Sequence, residues 1–192
     1  MMGLMATGAK RTNEVLIGGR EKREILIVDY DPMWPERFEA QRARIEHSLG
    51  SRALRVDHVG STSVPGLAAK PIIDIDVSVT DPDDELAYLA DLEETGYVLR
   101  VRESGHRMLR TPERDVHVHI CGLESEWALR HVLFRDWLRI SGPDRTVYEA
   151  AKRKLAQRDW GDMNDYADAK DDVIVDITGR AQLWATDSRS QP

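Results

Sequence analysis

Two segments in the middle of the chain alternate strictly between apolar and polar positions. Isoleucine and valine occupy every second position from Ile73 to Val79, and the same alternation returns from Val116 to Ile120. Because successive side chains of a strand point to opposite faces, the segments 72–79 and 116–120 are each predicted to form a strand with one apolar and one polar face.

The rest of the chain predicts helices that pack on this sheet. In residues 34–49, Phe38, Ile45 and Leu49 recur on one helical face, and Gly50 follows as a stop signal. Further strands are predicted at 25–28, 54–59, 97–101 and 106–111, and further helices at 84–95, 126–140, 144–158 and 164–184. We therefore expect an α+β fold, with a small mixed or antiparallel sheet, packed helices and a C-terminal helical part.

All of these elements fit into one domain, residues 24–184. The chain has 192 residues, and its hydrophobic fraction of 41% is enough for a buried core. Residues 1–23 are mixed and contain glycine without periodicity, so we expect a disordered leader there. The polar residues 185–192 are expected to form a frayed tail.

Composition excludes several classes of function. The 27 basic and 34 acidic side chains give a net charge of −7, whereas general nucleic-acid binding needs a net-basic surface. No apolar run approaches the roughly 20 residues of a membrane-spanning helix. The single cysteine, Cys121, cannot form an intrachain disulfide. We therefore expect a cytoplasmic protein that binds neither membranes nor nucleic acids in general.

Asp74 and Asp76 share the polar face of the first strand. On a strand, positions i and i+2 lie about 6–7 Å apart, and two carboxylates at that distance repel by roughly 2–3 kcal/mol at an effective dielectric constant near 20. A divalent metal ion with oxygen ligands relieves this repulsion. Two acids on the solvated face of an edge strand are an equal alternative.

His117 and His119 repeat this geometry on the second strand. Two imidazoles at i and i+2 are a plausible half of a metal site, and two surface histidines are the alternative for this pair alone. Both pairs stand opposite a continuous apolar row, which makes them more specific together. We expect them to converge on one cleft.

A turn and a group of cationic residues are candidates for phosphate binding. Gly60 precedes three hydroxyl residues, Ser61, Thr62 and Ser63, after a predicted strand, and such a turn offers N–H and O–H donors to phosphate. It lacks the Walker and dinucleotide-binding patterns, so an ordinary polar turn is the alternative. Residues 127–158 carry a charge of +5 and residues 159–176 a charge of −6. Among the cations facing a polyphosphate we consider first Arg135, Lys152 and Lys170.

Six blocks of sequence occur together between about residues 25 and 182. They are Tyr30-Asp31-Pro32-x-Trp34-Pro35, the continuous block His58 to Ile75, His117-Val118-His119, Phe134-Arg135-Asp136, Tyr148-x-x-x-Lys152 and Tyr166-x-x-x-Lys170. In this combination the chain resembles the GrpB family, and the block from His58 to Ile75 is highly specific. The resemblance implies a nucleotidyltransferase-like fold, which is shared with polymerase-beta-like enzymes.

The resemblance also implies roles for particular residues. In that superfamily a Gly-Ser turn contacts the nucleotide phosphates and two aspartates hold a divalent metal ion. These roles carry over to Gly60, Ser61, Asp74 and Asp76. A third carboxylate is usual on a neighbouring strand, but this chain has histidines there. Neutral imidazole removes a negative charge, which weakens Mg²⁺ binding and favours Mn²⁺ or Zn²⁺.

The expected function is transfer of a nucleoside monophosphate from a nucleoside triphosphate to a small acceptor. The expected cofactor is a divalent ion, Mg²⁺, Mn²⁺ or Zn²⁺, on Asp74, Asp76 and His119, with His117 or His119 also a candidate base. The residues expected to hold phosphate or neutralise its charge are Gly60, Ser61, Thr62, Ser63, Lys70, Arg135, Lys152 and Lys170. Two alternatives stay open. One is a non-catalytic nucleotide-binding or folding-assistance domain, like the one joined to dephospho-coenzyme A kinase, and the other is a metal-dependent phosphohydrolase.

Overall fold

A computed structural model describes residues 15–189 of the chain. The five strands are β1 (Arg55–Val59), β2 (Ile73–Val79), β3 (Val98–Glu103), β4 (His106–Arg110) and β5 (Val116–Gly122). The six helices are α1 (Trp34–Leu49), α2 (Leu89–Glu94), α3 (Glu126–Ile140), α4 (Gly142–Ala156), α5 (Met163–Asp168) and α6 (Asp171–Arg189). The predicted α+β class, with its small mixed sheet and C-terminal helical part, is confirmed.

The strands form one sheet in the order β1-β2-β5-β4-β3. Strands β2 and β5 are parallel neighbours, and the other pairs are antiparallel. In the β2–β5 register, Asp74 stands opposite His117 and Asp76 stands opposite His119. The two polar rows that the sequence predicts therefore lie side by side on one face.

The opposite face of the sheet holds the main hydrophobic core. Ile75, Val118 and Ile120 are fully buried there, beneath Trp34 and Ile45 of α1. Helix α2 covers the rest of this face. The C-terminal helices cover the polar face instead, and α3 and α4 begin at the capping serines Ser125 and Ser141.

The N-terminal segment differs from the prediction. Residues 25–28 form no strand, because among them only Val28 pairs with another segment. Its partner is Ala69, in the loop before β2, and the pair is an isolated bridge. A disordered leader through residue 23 is wrong for residues 15–23, where Leu16 is buried and bridges Val101 of β3. Residues 1–14 lie outside the described part of the chain.

The predicted helices also needed two corrections. The acidic segment 84–95 is a short 3₁₀ turn followed by α2. The segment 164–184 is two helices, and the break between them places Lys170 at their junction. Helix α6 continues to Arg189, so the predicted frayed tail is helical as far as the structure describes it. Within residues 15–189 no helix is both long and apolar enough to cross a membrane.

Candidate functional site

Three side chains on the polar face form a potential metal-binding group. Asp74, His117 and His119 each offer one ligand atom, and these atoms lie within 4.8 Å of one another. The Asp74 carboxylate accepts a hydrogen bond from His117 Nδ1 over 3.2 Å. Two imidazoles and one carboxylate suit Zn²⁺ or Mn²⁺, and three protein ligands leave a coordination position for substrate. The donor set therefore fits the predicted divalent metal ion.

The electrostatic surroundings keep Asp74 ionised. Burial raises the pKa of its carboxyl, but the hydrogen bond from His117 and the positive charge around it, that of Lys70 included, outweigh burial, so that the pKa falls to about 2. Burial, followed by the charge of His106, lowers the pKa of His119 well below its ordinary value. An ionised carboxylate and a neutral imidazole are the protonation states that bind metal ions.

Gly60 allows the predicted phosphate turn to approach this group closely. Its backbone has a φ of +67°, and a Cβ atom added there would lie 2.5 Å from Asp74 Oδ2. Glycine satisfies both constraints, because it accepts positive φ without strain and leaves room for the carboxylate. The turn therefore lies directly against Asp74 of the potential metal-binding group.

Asp76 lies outside the three-ligand group, although the sequence predicted it as a ligand. Its side chain is 2% exposed and accepts hydrogen bonds from His131 Nδ1 over 2.9 Å and from Trp127 Nε1 over 3.4 Å. Both partners belong to α3, which covers this part of the sheet. Among the described residues, Asp76 connects α3 to β2, and His117 takes the third place in the ligand group.

A second set of contacts orients His119. Its Nδ1 shares a hydrogen bond of 3.1 Å with His106 Nε2, and His106 Nδ1 lies 3.1 Å from Glu103 Oε2. The ring of His106 also stacks on Trp127, with 4.2 Å between ring centroids. Because Nδ1 of His119 takes part in this hydrogen bond, Nε2 is the ring nitrogen that would be available to a metal ion.

Three lysines from different parts of the chain lie next to the metal-binding group. This lysine cluster consists of Lys70, Lys152 and Lys170. The Nζ atoms of Lys70 and Lys170 lie 5.0 and 4.9 Å from the ring centroid of Tyr166. Lys152 Nζ lies 4.7 Å from the ring centroid of Tyr148 and donates to Ser61 Oγ over 3.0 Å. The cluster thus connects the phosphate turn to the C-terminal helices.

Carboxylates lie near the lysine cluster, Asp74 and Glu149 among them, and their charges partly raise the pKa values of its lysines. Within residues 15–189, none of its three lysines forms an ion pair with a carboxylate. Burial, followed by the charge of Lys170, lowers the pKa of Lys70 to about 8 and that of Lys152 to about 7. Burial also lowers the pKa of Lys170. A bound anion would relieve the cost of gathering these charges.

Other residues expected at the phosphate site have structural partners in the fold. Arg135 pairs with Asp136 over 2.8 Å and donates to the carbonyl oxygen of His58 over 3.1 Å. The hydroxyl groups of Thr62 and Ser63 donate to main-chain carbonyl oxygens of their own loop, at 3.1 and 2.6 Å. In the structure these three side chains stabilise the loop and its contact with α3.

Sequence reasoning missed two features of the site. The role of the two tyrosines was detectable, because Tyr148 and Tyr166 each precede a lysine of the cluster by four residues. Side chains at i and i+4 meet on a helix, as Tyr148 and Lys152 do on α4, whereas Lys170 lies beyond the end of α5. The contact of His131 with Asp76 had no comparable signal, since 55 residues separate them in sequence.

Comparisons with known proteins agree over most of the chain. A family model described as "GrpB protein" matches residues 24–180. A UPF0157 protein from Streptomyces coelicolor is 52% identical over 170 residues, which are 88% of this chain and 91% of that protein. The crystal structure of conserved protein GrpB from Enterococcus faecalis superposes with a TM-score of 0.74 at 36% identity and covers 83% of this chain and 99% of that one.

Some relatives have a named activity. A dephospho-CoA kinase from Mycolicibacterium paratuberculosis is 32% identical over 199 residues, which cover 88% of this chain but 48% of that protein. The similarity is thus confined to about half of the kinase. The family model and the relatives together show that this chain belongs to the GrpB family.

Proposed function

We propose that the chain binds a nucleoside triphosphate together with one divalent metal ion and transfers the nucleoside monophosphate to a small acceptor. One observation supports this function above the others. The group Asp74, His117 and His119 and the lysine cluster lie on either side of the same turn, Gly60-Ser61. Metal ligands next to unpaired cations suit a ligand with several phosphate groups.

Each part of the site has a role in this function. Asp74, His117 and His119 would hold the metal ion, which supplies positive charge to the phosphates when bound. Lys70 and Lys170 bind phosphate oxygens, and their positions on the Tyr166 ring fix both ammonium groups. The turn positions the triphosphate through its main-chain N–H groups.

The transfer step is a nucleophilic displacement at the α-phosphorus. A hydroxyl or amine of the acceptor attacks this phosphorus, and a P–O or P–N bond forms. The bond from the α-phosphorus to its bridging oxygen breaks, and pyrophosphate leaves with the electron pair. The proton of the acceptor passes to solvent water. Since nucleoside triphosphates are the donors, we place this activity in the cytoplasm.

The experiment measures ligand binding and product release with the full chain. Each of the four ribonucleoside triphosphates is tested by thermal shift and by pyrophosphate release, with and without Mn²⁺ or Zn²⁺. We expect at least one triphosphate to stabilise the protein and Lys152→Gln to abolish this effect. Lys154→Gln, on an exposed position of the same helix, is the matched control. The proposal fails if no triphosphate binds with any of the metals.

A non-catalytic binding domain is the second candidate, and the dephospho-CoA kinase relative favours it. About half of that kinase matches this chain, which is consistent with a domain that serves a separate enzyme. This candidate predicts nucleotide binding without pyrophosphate release at any acceptor tested. Release of inorganic phosphate in place of pyrophosphate would instead identify a metal-dependent phosphohydrolase.

A further inference from the structure

A cavity lies on the polar face of the sheet, between the N-terminal segment and His117. Its volume is about 90 Å³, about that of three liquid water molecules. A space of this size admits a ligand of only a few non-hydrogen atoms, such as a two-carbon hydroxy acid. His117 lines the cavity, so an occupant is next to the metal-binding group.

The N-terminal segment forms the outer wall of this cavity. The segment crosses the polar face between two isolated bridges, Leu16 to Val101 and Val28 to Ala69. Between them, the main-chain oxygen of Glu21 accepts a hydrogen bond from the backbone N–H of Met163, at the start of α5. The wall is therefore fixed to both the sheet and the C-terminal helices.

The two carboxylates that line the cavity, Glu21 and Asp162, already accept several hydrogen bonds from the protein. The carboxylate of Glu21 accepts two hydrogen bonds from Arg110, at 2.6 and 2.9 Å, and its pKa is lowered to about 2, mainly by this contact. Asp162 is 1% exposed and accepts hydrogen bonds from the backbone and side-chain N–H groups of Asn164 and from the Glu21 backbone N–H. Neither carboxylate is available to a ligand.

Basic side chains outnumber acidic ones in the cavity lining. Arg23, Arg100 and Arg110 line the cavity, against Glu21 and Asp162. Arg23 is solvent-exposed at the edge of the cavity and forms no hydrogen bond or ion pair with another of the described residues. The guanidinium of Arg23 therefore offers a donor fork for a carboxylate.

Apolar side chains complete the cavity wall. Leu16, Val101, Met108 and Met163 line it together with the arginines. A short aliphatic portion fits against such side chains, and a carboxylate fits the unpaired guanidinium. The cavity thus matches a small organic acid in both size and charge.

We propose that this cavity binds the carboxylate of a short hydroxy or amino acid, with the hydroxyl or amine directed toward His117. As an assignment of the acceptor class, the inference rests on the proposed transferase function. As an assignment of a binding site, it depends only on the cavity.

The test uses metal-free, nucleotide-free full-length protein with ¹⁵N-labelled histidine and glycolate as the probe. Glycolate should shift the His117 ring resonances with saturable, millimolar affinity, while His47 on α1 stays unchanged. Ethylene glycol, which lacks the carboxylate, should cause no saturable shift. Arg23→Gln should weaken glycolate binding at least threefold, whereas Arg37→Gln, an exposed arginine of α1, should not.

Four results would overturn the inference. One is the absence of a saturable shift at His117, and a second is an equal affinity in Arg23→Gln. A third is loss of glycolate binding in Lys170→Met, because glycolate would then occupy the lysine cluster. The fourth is tighter binding of inorganic phosphate at the same resonances. Pyrophosphate binding to the same sample separates the two proposals, since a protein that binds pyrophosphate but not glycolate retains the proposed function and loses only this site.

Discussion

Replacement of Gly60 by alanine tests the close approach of the phosphate turn to Asp74. The backbone φ of +67° and the 2.5 Å between a new Cβ and Asp74 Oδ2 are separate obstacles. Backbone with a φ of 67° and a ψ of −172° is essentially confined to glycine and costs another residue about 1–3 kcal/mol. The overlap adds about 1–3 kcal/mol, the usual cost of an extra methyl group in a filled site.

The overlap also displaces the carboxylate. An ordinary contact begins at 3.4 Å, so Asp74 Oδ2 must move by 0.9 Å, the difference between 3.4 and 2.5 Å. Because both oxygens belong to one carboxylate, a shift of this size also moves Oδ1, which accepts the hydrogen bond from His117 Nδ1. We therefore expect Gly60→Ala to lower Mn²⁺ affinity by about 10- to 100-fold, as losses of ligand orientation commonly do.

Gly66→Ala is the matched control, because Gly66 has a φ of +76° and no atom within 4 Å of its added Cβ. Urea unfolding should give a loss of about 1–2 kcal/mol for Gly66→Ala and about 2–6 kcal/mol for Gly60→Ala. Calorimetric titration with Mn²⁺ should show reduced affinity for Gly60→Ala alone. Equal stability losses and equal affinities in the two variants would refute the contact between Gly60 and Asp74.

Three further predictions concern the charged groups. Lys170→Met should raise the free energy of unfolding by about 1 kcal/mol in anion-free buffer and abolish stabilisation by pyrophosphate, whereas Lys154→Met should do neither. Since the pKa of Lys152 is about 7 in the fold and 10.5 ordinarily, the unfolded chain binds more protons between these values. Urea unfolding should therefore show stability rising with pH from 7 to 10.5, and pyrophosphate affinity falling above pH 7. His106→Gln should weaken Zn²⁺ binding by about 10- to 100-fold in a calorimetric titration, with His47→Gln as control; an unchanged affinity would contradict the orientation of His119.

The sheet faces could be predicted from sequence because the period of a strand fixes them. Alternation alone assigns Asp74 and His117 to polar faces, and the structure confirms both strands. It does not specify that β2 and β5 are parallel neighbours, since this depends on how the intervening hairpin of β3 and β4 packs. The metal-binding group therefore needed the tertiary structure.

The N-terminal segment was misjudged because its stabilising contacts are distant in sequence. Glu21 pairs with Arg110, 89 residues away, and Leu16 pairs with Val101. Residues 15–23 have no periodic pattern that would predict these contacts. Order is predicted from short-range sequence patterns. A segment that is held by isolated long-range contacts lacks such patterns and is therefore predicted to be disordered.

The different environments of Asp74 and Asp76 affect the mechanism proposed above. Both carboxylates share one face of β2, yet α3 covers Asp76 and leaves Asp74 beside the histidines. A site that used both aspartates for two metal ions would have to break the contacts of His131 and Trp127 with Asp76. In the structure as it stands, the metal-binding group suits one ion, and the lysine cluster provides positive charge on the other side of the Gly60 turn. In the proposed function, the lysines would take the place of a second metal ion in neutralising a triphosphate.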